Sequence, residues 1–203
     1  MLAYLVHAFG GPSGPFMYAL LAVLAYALAV LIERGWTLWG ARCDGDALLT
    51  RVEAAIAAGT AASLTLGATP MEKVVKAGLA YSDAELAWEA MAAEAVRAEQ
   101  VVRRRVQYLS TVASVSTMIG LCGTVYGLIL ACGALGAVAA AERAARLSEG
   151  SSTAMASTAM GLLVAIPALA AHAFVDARAR DLLSDIERVA GRVALAWKAR
   201  GRG

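Results

Sequence analysis

Met118-Ile-Gly-Leu-Cys-Gly-Thr-Val-Tyr-Gly-Leu128 lies at the centre of a run, Val106 to Ala141, of 36 residues without one Asp, Glu, Lys or Arg. About 20 apolar residues cross a bilayer, so the run is long enough to span and to protrude. As a helix it would measure roughly 54 Å against a hydrocarbon core of about 30 Å. Thr117, Gly120, Thr124, Gly127 and Ala131 recur at steps of three and four and therefore share one helical face. A stripe of small residues in lipid marks a face where another helix packs closely, because lipid tails cannot fill that space better. Gly123 and Gly127 add a GxxxG pair beside it.

Working outward, two further uncharged segments appear, Met1–Ile32 and Gly150–Val175. With 60% hydrophobic and 17% charged residues and a mean hydropathy of +0.63, the chain falls outside the soluble globular range. Its net charge of +2 becomes informative once the charges are located. Of 18 Lys and Arg, nine lie in Arg34–Arg105 and seven in Arg178–Arg202, while Arg143 and Arg146 alone separate the second and third runs. Short loops rich in Lys and Arg stay in the cytoplasm. The expected fold is thus an all-α integral membrane protein with three transmembrane helices, the N-terminus outside and the C-terminus inside. A signal peptide would need a basic n-region, which Met1–Pro15 lacks. Cys43, Cys122 and Cys132 are odd in number and fall in the membrane or on the cytoplasmic side, which argues against a disulfide framework. No Cys/His cluster suggests a metal, and no constellation suggests catalysis or a cofactor.

The expected organisation follows. Residues 1–15 form an outer, interfacial segment, with His7 near headgroups and Gly10-Gly-Pro-Ser-Gly-Pro15 as a break. Residues 16–33 are the first span, with Trp36 and Trp39 beside Arg34 as interface anchors. Residues 34–105 are a cytoplasmic helical region. Within it Cys43-Asp-Gly-Asp46 reads as a turn, and Ala47–Ala58 as an amphipathic helix stopped by Gly59. Thr69-Pro-Met-Glu72 is a capping box with Pro at the first helical position, and Ser82-Asp-Ala-Glu85 is a second box. Because no Pro occurs from Asp83 to Ala141, one long helix is expected to enter the membrane as the second span (106–141 with its extensions). Arg103-Arg-Arg105 would sit at the inner headgroups, an anchor in preference to a nucleic-acid patch. Residues 142–150 are an outer turn, 151–175 the third span, and 176–203 a charge-rich cytoplasmic helix that continues the third span and packs on the helix preceding the second.

The third span repeats the pattern of the second. Ser151, Ala154, Thr158, Gly161, Ala165, Ala168 and His172 follow steps of three and four, and Pro167 lies among them. Two readings of the paired stripes stay open. In one the helices pack antiparallel within a subunit, their Thr hydroxyls bonding their own backbone. In the other the two Thr share a polar pathway. His172, near the inner end of its stripe, has a titration range suited to proton exit, and an interfacial His is also commonly just solvated.

These residues resemble the MotA/TolQ/ExbB proton-channel family, and most closely its three-span ExbB/TolQ branch. Ile119-Gly-Leu-Cys-Gly-Thr-Val-Tyr-Gly-Leu128 is similar to the family's IGLxGTVxGI/L motif, and Ala156-Ser-Thr-Ala-Met-Gly-Leu-Leu-Val-Ala-Ile-Pro-Ala168 to its ATAxGLxxAIPA motif. Weaker likenesses run through Ile32-Glu-Arg, Ala55–Gly59 and Val74–Leu79. The resemblance implies a homo-oligomer, a pentamer, whose second and third spans line a pore holding the membrane helices of a dimeric, single-span ExbD/TolR-like partner. It further implies proton-driven work on an envelope process, with a TonB/TolA-like protein as a further partner, in the inner membrane. Thr124 and Thr158 take the places of the family's pore threonines, while Gly120, Gly123, Gly127, Gly161 and Pro167 take its packing positions. None of the three spans carries Asp, Glu, Lys or Arg, so this chain cannot supply the carboxylate of a proton relay. A partner must, and Thr hydroxyls can line the route without titrating.

The likeness is incomplete at four places. Thr153 stands where the branch usually has Glu, Thr117 where a Pro is usual, Cys132 where a Phe is usual, and His172-Ala173 where a Tyr-Asn pair is usual. Without that Glu, Na⁺ remains a candidate ion beside H⁺, with Thr153 and His172 as further pathway positions. A motility stator of the same family, flagellar or gliding, and a passive membrane scaffold are the alternatives.

Overall fold

The computed structural model describes residues 9–10, 14–41, 43–134 and 140–200. Among them are six α-helices and no strand: α1 (Gly14–Gly40), α2 (Gly45–Ala58), α3 (Pro70–Leu79), α4 (Ala84–Arg103), α5 (Val106–Ala134) and α6 (Ala140–Arg200), with a 3₁₀ turn at Ala61–Ser63. Three stretches are long and apolar enough to cross a membrane, one each in α1, α5 and α6. The interfacial reading of residues 1–8, His7 included, lies outside the described residues.

The chain divides into two compact units. One comprises Met1–Ile32 and Arg105–Ala173, and the other Glu33–Arg104 and Phe174–Gly203. The first holds the apolar stretches. There Met17 and Leu20 of α1 are buried against Ala156, Met160 and Val164 of α6, with Leu24 and Ile119 at the edge. Outward from this small core stand Leu121, Val125 and Ile129 of α5 and Leu163, Ile166 and Leu169 of α6, all largely exposed. In water such a surface would drive aggregation. Against hydrocarbon it carries no such penalty, since lipid tails are as apolar as Leu.

The second unit is built as a soluble domain would be. Leu48, Val52 and Ile56 of α2 line up at steps of four, and Met71, Val74, Val75 and Leu79 form the inner face of α3. Ala87, Met91 and Ala98 of α4 and Ile186, Val189, Val193 and Trp197 of α6 complete the core. Gly78 lets α3 approach α4, for a Cβ there would lie 2.6 Å from Cγ of Met91. Arg188 bonds Asp46 of α2 at 2.8 Å and Arg192 bonds Glu53 at 3.3 Å on the surface. Such exposed pairs contribute little, so burial holds the unit together.

Helix ends show which local signals prevail. Thr69 accepts from the Glu72 amide while the Glu72 carboxylate takes the Thr69 amide at 3.1 Å and its hydroxyl at 2.6 Å, a complete capping box opening α3. Gly59 ends α2 at φ +76, a left-handed conformation that glycine adopts without a Cβ penalty. Asp44 caps α2 by accepting from the amides of Asp46 and Ala47, so the helix begins at Gly45, inside the stretch that reads as a turn.

Four expectations are corrected. Helix α4 opens on Asp83, whose carboxylate accepts from the Glu85 and Leu86 amides, and the expected Ser82 box does not form. Helix α1 runs past residue 33 to Gly40, through the expected interface anchors. Residues 142–150 are helical, not a turn, because Glu, Ala, Arg and Leu there are strong helix formers, and Arg146 pairs with Glu149 at 3.7 Å. Finally, the single helix expected from Asp83 to Ala141 is interrupted. Arg104 is extended (φ −54, ψ 131) and Arg105 left-handed (φ 63) between α4 and α5. No Gly or Pro announces the interruption. Tertiary contact occupies the helix end instead: the buried Arg34 donates from Nη1 to the Val101 carbonyl at 3.3 Å.

Candidate functional site

Two apolar helices in lipid gain nothing from burial alone, so the α5–α6 pair must be held by close backbone approach and hydrogen bonds. Both are present at one crossing. A Cβ on Gly161 would lie 2.8 Å from the Ser116 carbonyl oxygen and 3.0 Å from Cα of Gly120. A Cβ on Gly120 would lie 3.0 Å from the Ser157 carbonyl oxygen and 3.1 Å from Cα of Gly161. Backbone cannot step aside as a side chain can, so only glycine fits at either position. Gly123 faces Ser157, with a virtual Cβ 2.6 Å from its Oγ, and Phe16 of α1 closes the third side at 3.3 Å. Gly150 faces Ala131 towards one end, and His172 reaches Val106 at the other. As numbers rise along α5 they fall along α6, so the pair is antiparallel.

The Gly120 carbonyl is the polar centre of this crossing. Ser157 donates its Oγ–H towards it at 3.1 Å, with the Ala154 carbonyl at 2.7 Å as a second acceptor, and the Thr158 hydroxyl lies 3.3 Å from the same oxygen. Ser157 is completely buried. Thr158 therefore bonds across to α5, whereas the Thr124 hydroxyl turns to the Leu121 carbonyl of its own helix at 2.6 Å. Thr117 and Thr153 likewise bond their own helices, at the Ala113 and Glu149 carbonyls. The two threonines thus behave differently. One follows the self-bonding pattern and the other links two helices.

Gly127, Ala131, Ala154, Ala165 and Ala168 are buried on the facing stripes, while Thr117, at the start of its stripe, is exposed. Pro167 lies inside α6 on an exposed face, without breaking the helix. Half-buried His172 bonds through Nδ1 to the Val106 carbonyl at 3.1 Å. Among the described residues no group of His, Cys, Asp and Glu could hold a metal ion.

Ser157 and Ser116 were not singled out from the sequence. Ser116, also fully buried, bonds the Val112 carbonyl at 2.7 Å, and its own carbonyl receives Gly161. The signal for Ser157 was available: it stands three residues after Ala154 and four before Gly161, so it satisfies the same small-residue spacing as Thr158.

With this crossing in view, the comparison with known proteins is decisive. Residues 67–188 match the MotA/TolQ/ExbB proton channel family. The chain belongs to that family. The matched region takes in α3, α4, α5 and most of α6, and therefore the whole glycine crossing. A curated family relative, the "Biopolymer transport protein ExbB" of Aquifex aeolicus (strain VF5), is 34% identical over 96 residues. That alignment covers 46% of this chain and 62% of the relative, less than two thirds of the relative's length. The family is one of proton channels, and three apolar helices make this member a multi-pass membrane protein.

Proposed function

We propose that the chain is the pore-forming stator subunit of a proton-driven motor of ExbB/TolQ type in a bacterial inner membrane. Its N-terminus lies outside, and its cytoplasmic unit comprises residues 33–104 and 174–203. It assembles as a homo-oligomer, a pentamer, around a single-span ExbD/TolR-like partner. The observation that carries this reading is a pair of hydroxyls, Thr158 bonded across the crossing and Thr124 a turn beyond it, in spans devoid of Asp, Glu, Lys and Arg. Hydroxyls both donate and accept, so they can pass a proton to or from a titrating group without holding a charge. The titrating group is a membrane Asp of the partner, which this chain's spans do not contain. Thr124 and Thr158 line the route, Thr153 stands at the outer approach, and Gly120, Gly123, Gly127, Gly161 and Pro167 set the helix geometry. Flux through the assembly powers an envelope process such as TonB-dependent import or Tol-Pal function.

The test is reconstitution of the chain with its single-span partner in liposomes, with a pH dye inside and an imposed potential. Proton influx abolished by Asp→Asn in the partner supports the reading. Flux that requires Na⁺ favours a motility stator, and an assembly that passes neither ion is a passive scaffold.

A further inference from the structure

We infer that His172 is the proton-releasing group at the inner end of the pathway, with Nε2 as the exchanging atom. This rests on the proton-conducting reading above. A carbonyl oxygen can only accept, so the contact from His172 Nδ1 to the Val106 oxygen at 3.1 Å requires Nδ1 to carry the hydrogen. That hydrogen bond sets the tautomer and leaves the lone pair on Nε2. Protonation at Nε2 gives an imidazolium that keeps its Nδ1–H and hence its bond to α5. The ring can therefore load and unload a proton without letting go of its support. Its place suits release. His172 lies nine residues past the centre of the 151–175 span, roughly 14 Å at helical rise, which is close to the inner edge of a hydrocarbon core of about 30 Å. Val106 is the first residue of α5, directly after the interruption at Arg104–Arg105.

His172 is the one ionisable side chain within 150–175. The ionisable groups on the helices packed against this stretch are Tyr108, Cys122, Tyr126 and Cys132 on α5 and Tyr18 and Tyr26 on α1 up to residue 32, with Arg105 directly ahead of Val106. Asp176, a turn further along α6, is held by Arg180 at 3.2 Å. The step is balanced: Nε2 takes one proton from the pathway to form imidazolium, passes it to water as hydronium, and returns to the neutral imidazole.

The test separates carrying a proton from holding a helix. In the reconstituted assembly, His172→Asn keeps an N–H for the Val106 carbonyl but has no titrating nitrogen, and His172→Ala removes both. Proton flux should fall by roughly tenfold or more in both variants and recover in His172→Ala when imidazole is added as buffer. Rescue by Asn and none by imidazole would assign His172 a purely structural role and overturn the inference. A second readout is independent of flux. The chain has two histidines, so His7→Asn leaves one imidazole for ¹⁵N NMR in bilayers. Nδ1 should stay protonated while Nε2 gains and loses its proton, and a hydrogen on Nε2 with a bare Nδ1 would overturn the assignment. A wild-type assembly that passes no protons refutes the conducting reading and this inference together. Wild-type flux with His172→Asn unaffected refutes this inference alone.

Discussion

At the scale of the residue, the α5–α6 crossing separates two kinds of small side chain. Gly161 and Gly120 are small because backbone stands within 3.1 Å of where a Cβ would be. Gly161→Ala should therefore cost about 1–3 kcal/mol, as overpacking does elsewhere, and weaken the oligomer on native gels. The control is Gly191→Ala, where a Cβ meets nothing within 4 Å. That change should leave the melting temperature level or raise it, because Ala is the better helix former. An equally stable Gly161→Ala would mean that the helices do not cross here. The threonines are kept for their hydroxyls. Thr158→Ser should retain most motor function, while Thr158→Val, which keeps the shape but leaves Thr158 no hydroxyl for the Gly120 carbonyl, should lose most of it and still assemble. Thr124→Val should behave likewise, although its hydroxyl bonds only its own helix here. If both Val variants drive transport at full rate, the pathway fails and the packing stripes alone survive.

At the scale of the element, α3 shows a local signal that titrates. The hydroxyl of Thr69 donates to the Glu72 carboxylate, and this bond, ahead of partial burial acting the other way, holds the carboxylate below its usual range. Because the folded value lies below the unfolded one, the stabilisation is complete above the unfolded carboxylate range. It is lost as pH falls through the lower folded value. Glu72→Gln should flatten the acid limb of the stability curve, and Thr69→Ala should cost about 1 kcal/mol of the second unit's stability near neutrality. Urea unfolding followed by tryptophan fluorescence would read both. An acid limb unchanged in Glu72→Gln would remove the capping box as its source. The end of α4 obeys a different rule. There the helix stops without Gly or Pro, at a carbonyl engaged by Arg34, sixty-seven residues away. Local propensity had no means of announcing it.

At the scale of the whole molecule, topology is the open quantity with the plainest measurement. After replacement of Cys43, Cys122 and Cys132, a cysteine at Ser148 should react with an impermeant thiol reagent added outside intact cells. One at Ser184 should react only after lysis. Both serines are exposed on α6, so access through the membrane decides the outcome and not burial. The reverse pattern would overturn the orientation drawn from the Lys and Arg distribution.

The existence and class of the fold were written in the chain, because bilayer thickness turns uncharged runs into spans and a small-residue stripe into a contact. Capping chemistry was equally legible at Thr69 and Gly59, where a side chain or a glycine acts within four residues of itself. Tertiary structure alone decided three things. It set the α5–α6 register, which brings Ser157 and Thr158 to one carbonyl of the facing helix. It interrupted the helix at Arg104–Arg105, and it joined His172 to Val106. Spacing along a helix tells which side chains share a face, since rise and rotation per residue are constant. It carries no information about the height at which a second helix meets that face. That height is chosen by the sum of backbone approaches at Gly120, Gly123 and Gly161, and so by contacts between residues some forty positions apart.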